Sequence, residues 1–467
     1  MTLIRINASA AVDGVGTCVA PASLLIECED AAKPVHDSVT IATRGALRVV
    51  HVGEPSRADA LLREKSWSVS RVVDRPGCVL MPGLVNAHTH LDLTHIGPRA
   101  FDPAQGFTGF IKVVLANRLT EEAAVVESIR RGVDLSLKGG VVAVGDIGGV
   151  IGGRPSLVPY RALRDSVLGG VSYLEFFGLG TNEDANLAAL DAMIKAYLEE
   201  RNLSGTRVGS HAATFGLQPH APYTASPRVF QRAAEIAREH GLNLCTHLAE
   251  TPEEREFIRS ASGPFRAFLE RVGWWPAGQN VGSISNAAGQ GLSAVAYFEK
   301  HLCGGREANG ASKYLLAHVN DASDADIALL ASGTHSVVYS PRSSSYFRNH
   351  EHFGHHRYRE MLKAGVNVCL GTDSVINLPS SERISTLDEM RFLYRRDGMD
   401  ASELLAMATV RGARALGLDE SRFAFGDVRE IAGIVAVPVA GEILNGGNAL
   451  RAVLDGQTSP ELLAISG

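Results

Sequence analysis

The sequence predicts an α/β protein in which a (β/α)₈ TIM barrel carries a small β-sandwich built from both ends of the chain. Between residues 79 and 424, short apolar runs alternate with longer amphipathic stretches, a pattern typical of βα units around a parallel sheet. Eight such runs occur, and eight βα units close into a barrel. Residues 1–78 and 425–467 instead contain short β-like runs such as SLLIE and GIVAVPVAG, so we assign them to the sandwich.

The eight apolar runs give the barrel strands in chain order. They cover residues 79–90, 141–148, 171–179, 216–222, 242–250, 314–320, 336–341 and 366–374. Helix-like stretches follow several of them, for instance SPRVFQRAAEIAREHG after the fourth run and DADIALLASG after the sixth. An open doubly wound sheet is the alternative, but such a sheet gathers its functional residues at one switch point.

Polar residues able to do chemistry end every run, which favours the barrel, because barrel enzymes place their sites at the carboxyl ends of the strands. These residues are His88, His90, Asp146, Glu175, His220, His247, His318, Arg342 and Asp373.

Two stretches are predicted to lie outside the regular βα pattern. Residues 273–312 are rich in Gly, Asn and Ser and are interpreted as an insertion. Residues 343–358 follow the seventh strand and are predicted to form a solvated loop near the pocket. The loop contains His350, His352, His355 and His356, for which a second metal site is the alternative interpretation.

The composition limits the classes of function. The chain has 467 residues, 45% hydrophobic and 21% charged, so it can bury a large core without structural metals. A net charge of −6 without a basic stripe argues against nucleic acid as a partner. No signal peptide pattern and no apolar run near the roughly 20 residues of a membrane helix occur. The six cysteines form no CxxC pair, so we expect reduced thiols in a cytoplasmic protein. We expect its substrate to be a small molecule.

The pair His88 and His90 is the first indication of a metal site. Side chains two apart on a strand point to the same side, so both imidazoles can bind one ion. Such pairs are common by chance, but this one ends an otherwise apolar strand. His247 ends LNLCTH, where a hydrogen-bonded core histidine is the alternative, and Asp373 closes VNVCLGTDS, where a helix N-cap is the alternative. Three histidines and one aspartate form a ligand set for zinc or a similar divalent ion.

This arrangement suits the activation of water. Neutral imidazoles leave most of the ion's charge on a bound water, whose pKa can fall toward about 7. Asp373 can accept the proton of that water, and Glu250 is placed to carry it to a substrate nitrogen. His318, at the end of YLLAH, can hold or polarise the attacked centre.

The motif series PGLVNAHTHLDL, HAPYTAS, THLAET, LLAHVND and GTDS resembles the amidohydrolase superfamily, in its deaminase and chlorohydrolase branch, over about residues 79–418. THLAET and VVYSPRSSSYF are most similar to the group of aminodeoxyfutalosine, adenosine and S-adenosylhomocysteine deaminases. The metal ligands implied by the resemblance are His88, His90, His247 and Asp373. It further implies that Glu250 is the proton shuttle, that His318 and Asp373 take part in catalysis, and that His220 contacts a ribose hydroxyl where the substrate is a nucleoside.

The resemblance also implies the number of ions. Members with two metals carry a bridging lysine at the end of the fourth strand, and GLQPHAP has none. One divalent ion is therefore expected, zinc in the first place, with iron or manganese as alternatives. Dimers are common in this branch, so a homodimer is an expectation that no residue pattern demonstrates.

Two further residues are candidates for substrate binding. Arg342 can hold a substrate carboxylate through its two-pronged guanidinium, with a surface salt bridge as the alternative. Glu175 can accept a hydrogen bond from the substrate, with structural support of the site as the alternative. Asp146 is interpreted as structural.

Three functions are consistent with these residues. The first is hydrolytic deamination of an aminopurine nucleoside or a related amino-heterocycle, with release of ammonia. The second uses the same metal site to hydrolyse a different bond, as in ring opening of a cyclic amide such as an imidazolone or dechlorination of a triazine. The third is a barrel retained as a binding module, against which stands the presence of every expected catalytic side chain.

Overall fold

The computed structural model describes residues 3–28, 31–32, 39–43, 45–203, 212–275, 288–303, 312–441 and 446–466. Within these ranges, no helix is both long enough and apolar enough to cross a membrane. All six cysteines are free thiols, as predicted.

The eight predicted barrel strands are all present and form one parallel sheet in chain order. They are Leu84–Thr89, Val141–Gly148, Gly169–Phe176, Thr214–Pro219, Asn243–Leu248, Tyr314–His318, Ser336–Tyr339 and Asn367–Leu370. The first strand meets the last where Asp373 donates its backbone N–H to the carbonyl of His88 at 3.0 Å, which closes the barrel. Most strand residues are buried, as expected when helices cover the outside of a parallel sheet.

Helices follow the barrel strands and begin and end at the expected signals. The helix Pro227–His240 begins after Ser226, whose hydroxyl accepts the backbone N–H of Val229, and ends at Gly241 with φ 67°. The α-helices between residues 79 and 424 are Gly106–Asn117, Glu122–Lys138, Val158–Arg164, Glu183–Leu203, Pro227–His240, Pro252–Ser260, Gly263–Arg271, Ala294–His301, Asp324–Ser332, Pro341–Tyr346, Asn349–Phe353, Tyr358–Lys363, Thr386–Asp397, Ala401–Met407 and Val410–Ala415. Short 3₁₀ helices cover Leu91–Ile96, Gly180–Asn182, Val375–Asn377 and Glu420–Phe423.

The two ends of the chain pair with each other in one curled sheet of ten described strands, which has a hydrophobic core of its own. The strands are Leu3–Val12, Cys18–Val19, Ala22–Cys28, Ala31–Ala32, Val39–Thr43, Leu47–Gly53, Val69–Pro82, Arg429–Glu430, Gly433–Pro438 and Glu461–Ser466. Strand Val69–Pro82 pairs with Leu3–Val12 on one side and Gly433–Pro438 on the other, and its chain then enters the barrel. Helices Pro55–Glu64 and Gly446–Asp455 complete this part.

Residues 273–312 and 343–358 were both predicted to lie outside the regular βα pattern. Of the predicted insertion 273–312, the structure describes helix Ala294–His301 and its surroundings, while residues 276–287 and 304–311 lie outside the described ranges. The prediction of a loop at 343–358 is wrong, since two of the helices named above, Pro341–Tyr346 and Asn349–Phe353, occupy most of it. The aromatic rings of Tyr346 and Phe347 in this segment pack against Phe101, so the segment is held against the protein and is not a solvated loop.

Candidate active site

Four imidazoles converge at the carboxyl end of the barrel. The ring of His88 lies 5.1 Å, centroid to centroid, from each of the rings of His90, His247 and His318. His88 and His90 leave the first strand, His247 the fifth and His318 the sixth. Parallel strands that all end on one barrel rim therefore bring together histidines that are far apart in sequence.

Asp373 reaches the same cluster from the loop after the eighth strand. Its Oδ1 lies 3.7 Å from Nε2 of His88 and 3.4 Å from Nε2 of His90. Its Oδ2 accepts hydrogen bonds from Ser343 Oγ at 2.6 Å and Asn377 Nδ2 at 2.9 Å. The two donors hold one carboxylate oxygen and leave the other beside the imidazoles.

Glu250 forms a second part of the cluster with His318. Oε1 of Glu250 lies 3.5 Å from Nε2 of His318, and both side chains are buried. Ligand atoms of Glu250, His318 and Asp373 lie within 4.8 Å of one another, as do those of His88, His90 and Asp373. The two groups share Asp373, so a bound ion and a proton-transferring carboxyl would be neighbours.

Burial sets the protonation states of this cluster. It lowers the pKa of His88, His247 and His318 to about 3, so these rings are neutral at neutral pH and carry free lone pairs. Burial, with Asp373 nearby, raises the pKa of Glu250 well above its usual range. Burial acts on Asp373 in the same direction, but His318, His90, His88 and the hydrogen bond from Ser343 outweigh it and lower the pKa of that carboxyl.

The hydrogen bonds of His247 fix which nitrogen faces the cluster. Its Nδ1 lies 3.2 Å from the backbone carbonyl of His220 and 3.1 Å from Nε2 of Gln218. Both contacts engage Nδ1, so Nε2 is the ring nitrogen that remains for the cluster. Histidines that bind metals are oriented in this way, with the second nitrogen donating to a carbonyl or carboxylate.

The residues present fit a divalent cation. Nδ1 and Nε2 of His88 are buried and have no hydrogen-bond partner among the described residues. Buried polar atoms without partners are costly, and a cation in contact with their lone pairs removes that cost. Neutral imidazoles with one ionised carboxylate are the donor set of zinc and similar ions.

A cavity of about 470 Å³ opens from this cluster. Its polar end includes His90, His220, His247, Glu250 and Asp373, and most of its remaining walls are apolar. This combination of a few convergent polar groups in an apolar cavity is typical of small-molecule sites.

A family model described as the amidohydrolase family matches residues 79–426. The chain belongs to the amidohydrolase family. The match covers the whole barrel and confirms the predicted superfamily. This amidohydrolase is accordingly a hydrolase that acts on carbon–nitrogen bonds, as predicted.

Similar proteins are named as nucleoside deaminases. An aminodeoxyfutalosine deaminase of Deinococcus radiodurans is 29% identical over 377 residues, which are 79% of this chain and 81% of the relative. A 5-methylthioadenosine/S-adenosylhomocysteine deaminase of Halothermothrix orenii is 27% identical over 363 residues, 75% of this chain and 70% of the relative.

Solved structures share the fold of this amidohydrolase. Helicobacter pylori aminofutalosine deaminase in complex with methylthio-coformycin superposes with a TM-score of 0.69 at 21% identity, over 98% of both chains. An adenosine deaminase from Xanthomonas campestris with bound zinc gives a TM-score of 0.62 at 19% identity, over 94% of this chain and 85% of that one. At these identities the likeness concerns the fold, and the predicted fold class is confirmed.

Glu175 and His220 line the cavity of this amidohydrolase, as expected from their places in the sequence. Nδ1 of His220 donates to Thr224 Oγ1 at 2.6 Å, because that hydroxyl donates in turn to the carbonyl of Ala221 at 3.3 Å. Nε2 of His220 then carries the lone pair and can accept a hydrogen bond from a hydroxyl group. Glu175 lies 3.8 Å from this nitrogen and 3.5 Å from Arg118, so it supports neighbouring side chains as well.

Arg342 is not brought to the cavity. Its Nε donates to Glu389 Oε1 at 2.5 Å and its backbone N–H to Glu389 Oε2 at 3.0 Å. Arg342 is absent from the residues that line the cavity, and Glu389 is fully buried. The expectation that Arg342 holds a substrate carboxylate is wrong in this structure, because a buried acid binds the guanidinium instead.

Three supporting residues were not predicted. Arg118 lines the cavity from the end of helix Gly106–Asn117, and no local pattern marks it. Glu254 accepts the backbone N–H groups of Ala249 at 3.0 Å and Glu250 at 2.7 Å. Its signal was readable, since Thr251 and Glu254 have the spacing of a capping box. His356, predicted as a solvated histidine, is instead buried and donates to the carbonyl of His318 at 2.8 Å.

Proposed function

We propose that this amidohydrolase deaminates the purine ring of an adenosine-like nucleoside, with water as the nucleophile and ammonia as the leaving group. The observation that carries the proposal is the position of the buried Glu250 carboxyl, 3.5 Å from His318 and, with His90 and His247, in the lining of a largely apolar cavity. The names of the related deaminases support the same substrate class.

We further propose that His88, His90, His247 and Asp373 hold one divalent ion. Such an ion, when bound, lowers the pKa of water and so supplies a nucleophile at neutral pH. Zinc is the first candidate, since the donor set is nitrogen-rich and the related Xanthomonas campestris structure contains zinc.

The proton transfers are assigned to this chain's own side chains. Ionised Asp373 accepts a proton from the attacking water, while protonated Glu250 gives its proton to the ring nitrogen next to the amine-bearing carbon. The water oxygen thereby bonds to that carbon. The proton held by Asp373 then passes to the amine, the carbon–nitrogen bond breaks and ammonia leaves, and the remaining proton of the added hydroxyl returns to Glu250 as the carbonyl forms.

His318 and His220 are assigned to binding. The neutral ring of His318, 3.5 Å from Glu250, is placed to hydrogen-bond the oxygen that develops charge on the attacked carbon. Nε2 of His220 is placed to accept a hydrogen bond from a sugar hydroxyl. The apolar walls exclude water and strengthen both interactions.

The direct test measures ammonia release from adenosine, 5′-methylthioadenosine, S-adenosylhomocysteine and aminodeoxyfutalosine by the zinc-loaded protein, with the mass of each product. Deamination exchanges the amine for oxygen, whereas opening of a ring adds the mass of water. Absence of ammonia from all four, in protein shown to contain metal, contradicts the proposal.

A further inference from the structure

The cavity extends from the histidine cluster along one face of helix Gly106–Asn117. Phe107, Phe110, Ile111, Val114 and Leu115 from this helix all line it. Their spacing of three and four residues places them on one side of an α-helix. The helix therefore turns a continuous apolar face toward the cavity, and Phe107 at its start also packs into the hydrophobic core.

A second part of the cavity wall is apolar as well. It contains Phe268, Val272 and Trp274, and Leu115 and Val272 remain 56% and 40% exposed. We call the two walls together the apolar arm. It is continuous with the cavity that contains His90, His247 and Asp373, so a molecule bound at the cluster extends into it. Uncovered apolar surface of this kind marks a binding surface.

The charges near the apolar arm are already compensated. Arg118 is the cation among the described residues that line the cavity. Its Nη2 donates to Asp92 at 3.1 Å and lies 3.5 Å from Glu175, and its Nε donates to the carbonyl of Val150 at 3.2 Å. Two acids surround one cation, so a substrate carboxylate placed there meets net negative charge. Burying such a charge without a partner is strongly unfavourable.

We propose that the apolar arm selects nucleosides whose end remote from the reacting amine is uncharged and apolar, such as a 5′-thioether or 5′-alkyl group, over nucleosides with an amino-acid tail. The inference rests on the proposed function and adds which substituent is accepted. A cavity of about 470 Å³ is in the range that encloses a ligand of this size.

The first experiment compares kcat/KM of the zinc-loaded protein for 5′-methylthioadenosine, adenosine and S-adenosylhomocysteine, which share the purine amine and differ at the 5′ position. We expect 5′-methylthioadenosine to exceed adenosine by about tenfold or more, since one small apolar group in an apolar pocket is worth roughly 10–200-fold. It should exceed S-adenosylhomocysteine by at least about tenfold. Equal or better turnover of S-adenosylhomocysteine overturns the inference, whereas no ammonia from any of the three overturns the proposed function.

The second experiment uses two adjacent valines. Val114 lines the apolar arm, while Val113 on the same helix is 38% exposed and lies outside the cavity lining. We expect Val114→Glu to lower the ratio of kcat/KM for 5′-methylthioadenosine over adenosine on the order of tenfold. Val113→Glu should leave the ratio at its wild-type value. Because each ratio is measured on one preparation, it does not depend on the fraction of folded or metal-loaded protein. An unchanged ratio in Val114→Glu, or an equal decrease in both variants, contradicts the inference.

Discussion

The buried His356 holds the backbone of a residue that we place in the chemistry. Its Nε2 donates to the carbonyl of His318 at 2.8 Å, and its ring stacks on Tyr339 with 3.7 Å between centroids. His318 has φ 76° and Val319 has φ 48°, left-handed conformations that cost about 1–3 kcal/mol each for residues other than glycine. Such conformations persist only where the surroundings enforce them. We therefore predict that His356→Phe, which keeps an aromatic ring but loses the donor, disturbs His318.

The magnitude follows from the bond that is lost. His318 is 2% exposed, so water does not readily replace the missing donor. A buried carbonyl without a partner costs about 1–3 kcal/mol, which is the expected decrease in the free energy of unfolding. A displacement of the His318 ring by about 1 Å lowers kcat on the order of 100-fold, with a smaller change in KM.

The assays are urea unfolding and ammonia release from the preferred nucleoside. The matched control is His355→Phe, because His355 is the exposed neighbour of His356, and its replacement should change the free energy of unfolding by less than about 0.5 kcal/mol. If His356→Phe unfolds and turns over like His355→Phe, the hydrogen bond to His318 has no role. If only the free energy of unfolding decreases, the bond stabilises the fold without positioning the ring.

Further predictions concern the remaining parts of the site and its support. Glu250→Gln should lower kcat by about 10²–10⁴-fold while the bound metal measured by mass spectrometry is unchanged, and Glu256→Gln, an exposed carboxylate nearby, should do neither. His88→Ala should reduce both the bound metal and the melting temperature gained on adding zinc. Arg342→Ala should lower the free energy of unfolding by about 1–3 kcal/mol, because it leaves a buried oxygen of Glu389 without its donor, and should not change the preference among nucleosides. Burial raises the pKa of Glu389 to about 7 from an ordinary 4.5, so the fold favours the protonated form. The contribution of protonated Glu389 to the free energy of unfolding is fully present below pH 4.5. It is lost as the pH rises through about 7, by about 3 kcal/mol in all. Glu389→Gln should remove that part of the pH dependence of urea unfolding.

The barrel was predictable because its signals are local. A strand buried on both faces of a parallel sheet is a short apolar run, and the polar residue at its end lies on the barrel rim whatever the rest of the chain does. For this reason the neighbourhood of His88, His90, His247 and Asp373 follows from the order of the strands. For the flanking sheet, the sequence predicted β-strands but not their pairing. Strand Val69–Pro82 pairs with strands from both ends of the chain, and no local pattern specifies that register.

The supporting residues were not predictable in the same way. Ser343 and Asn377, which hold Asp373, lie in segments that meet only once the barrel is closed. Arg342 follows a strand end like the site residues do, yet the buried Glu389 draws it away from the cavity. Position on a strand therefore predicts that a side chain reaches the rim, while its direction there depends on which long-range partner it meets.

Long-range partners also set the pKa values of the two buried carboxyls of the site, Asp373 and Glu250. Asp373 and Glu250 lie in the same cluster, and burial alone favours the protonated form of both. Asp373 accepts hydrogen bonds from Ser343, Asn377 and the backbone N–H of Ser374, whereas the Glu250 carboxyl accepts none from the described residues. The neighbouring histidines and these donors lower the pKa of Asp373, whereas burial raises the pKa of Glu250. Two carboxyls of one cluster thus shift in opposite directions, as a base and an acid require, and the partners of Asp373, not burial alone, make the difference.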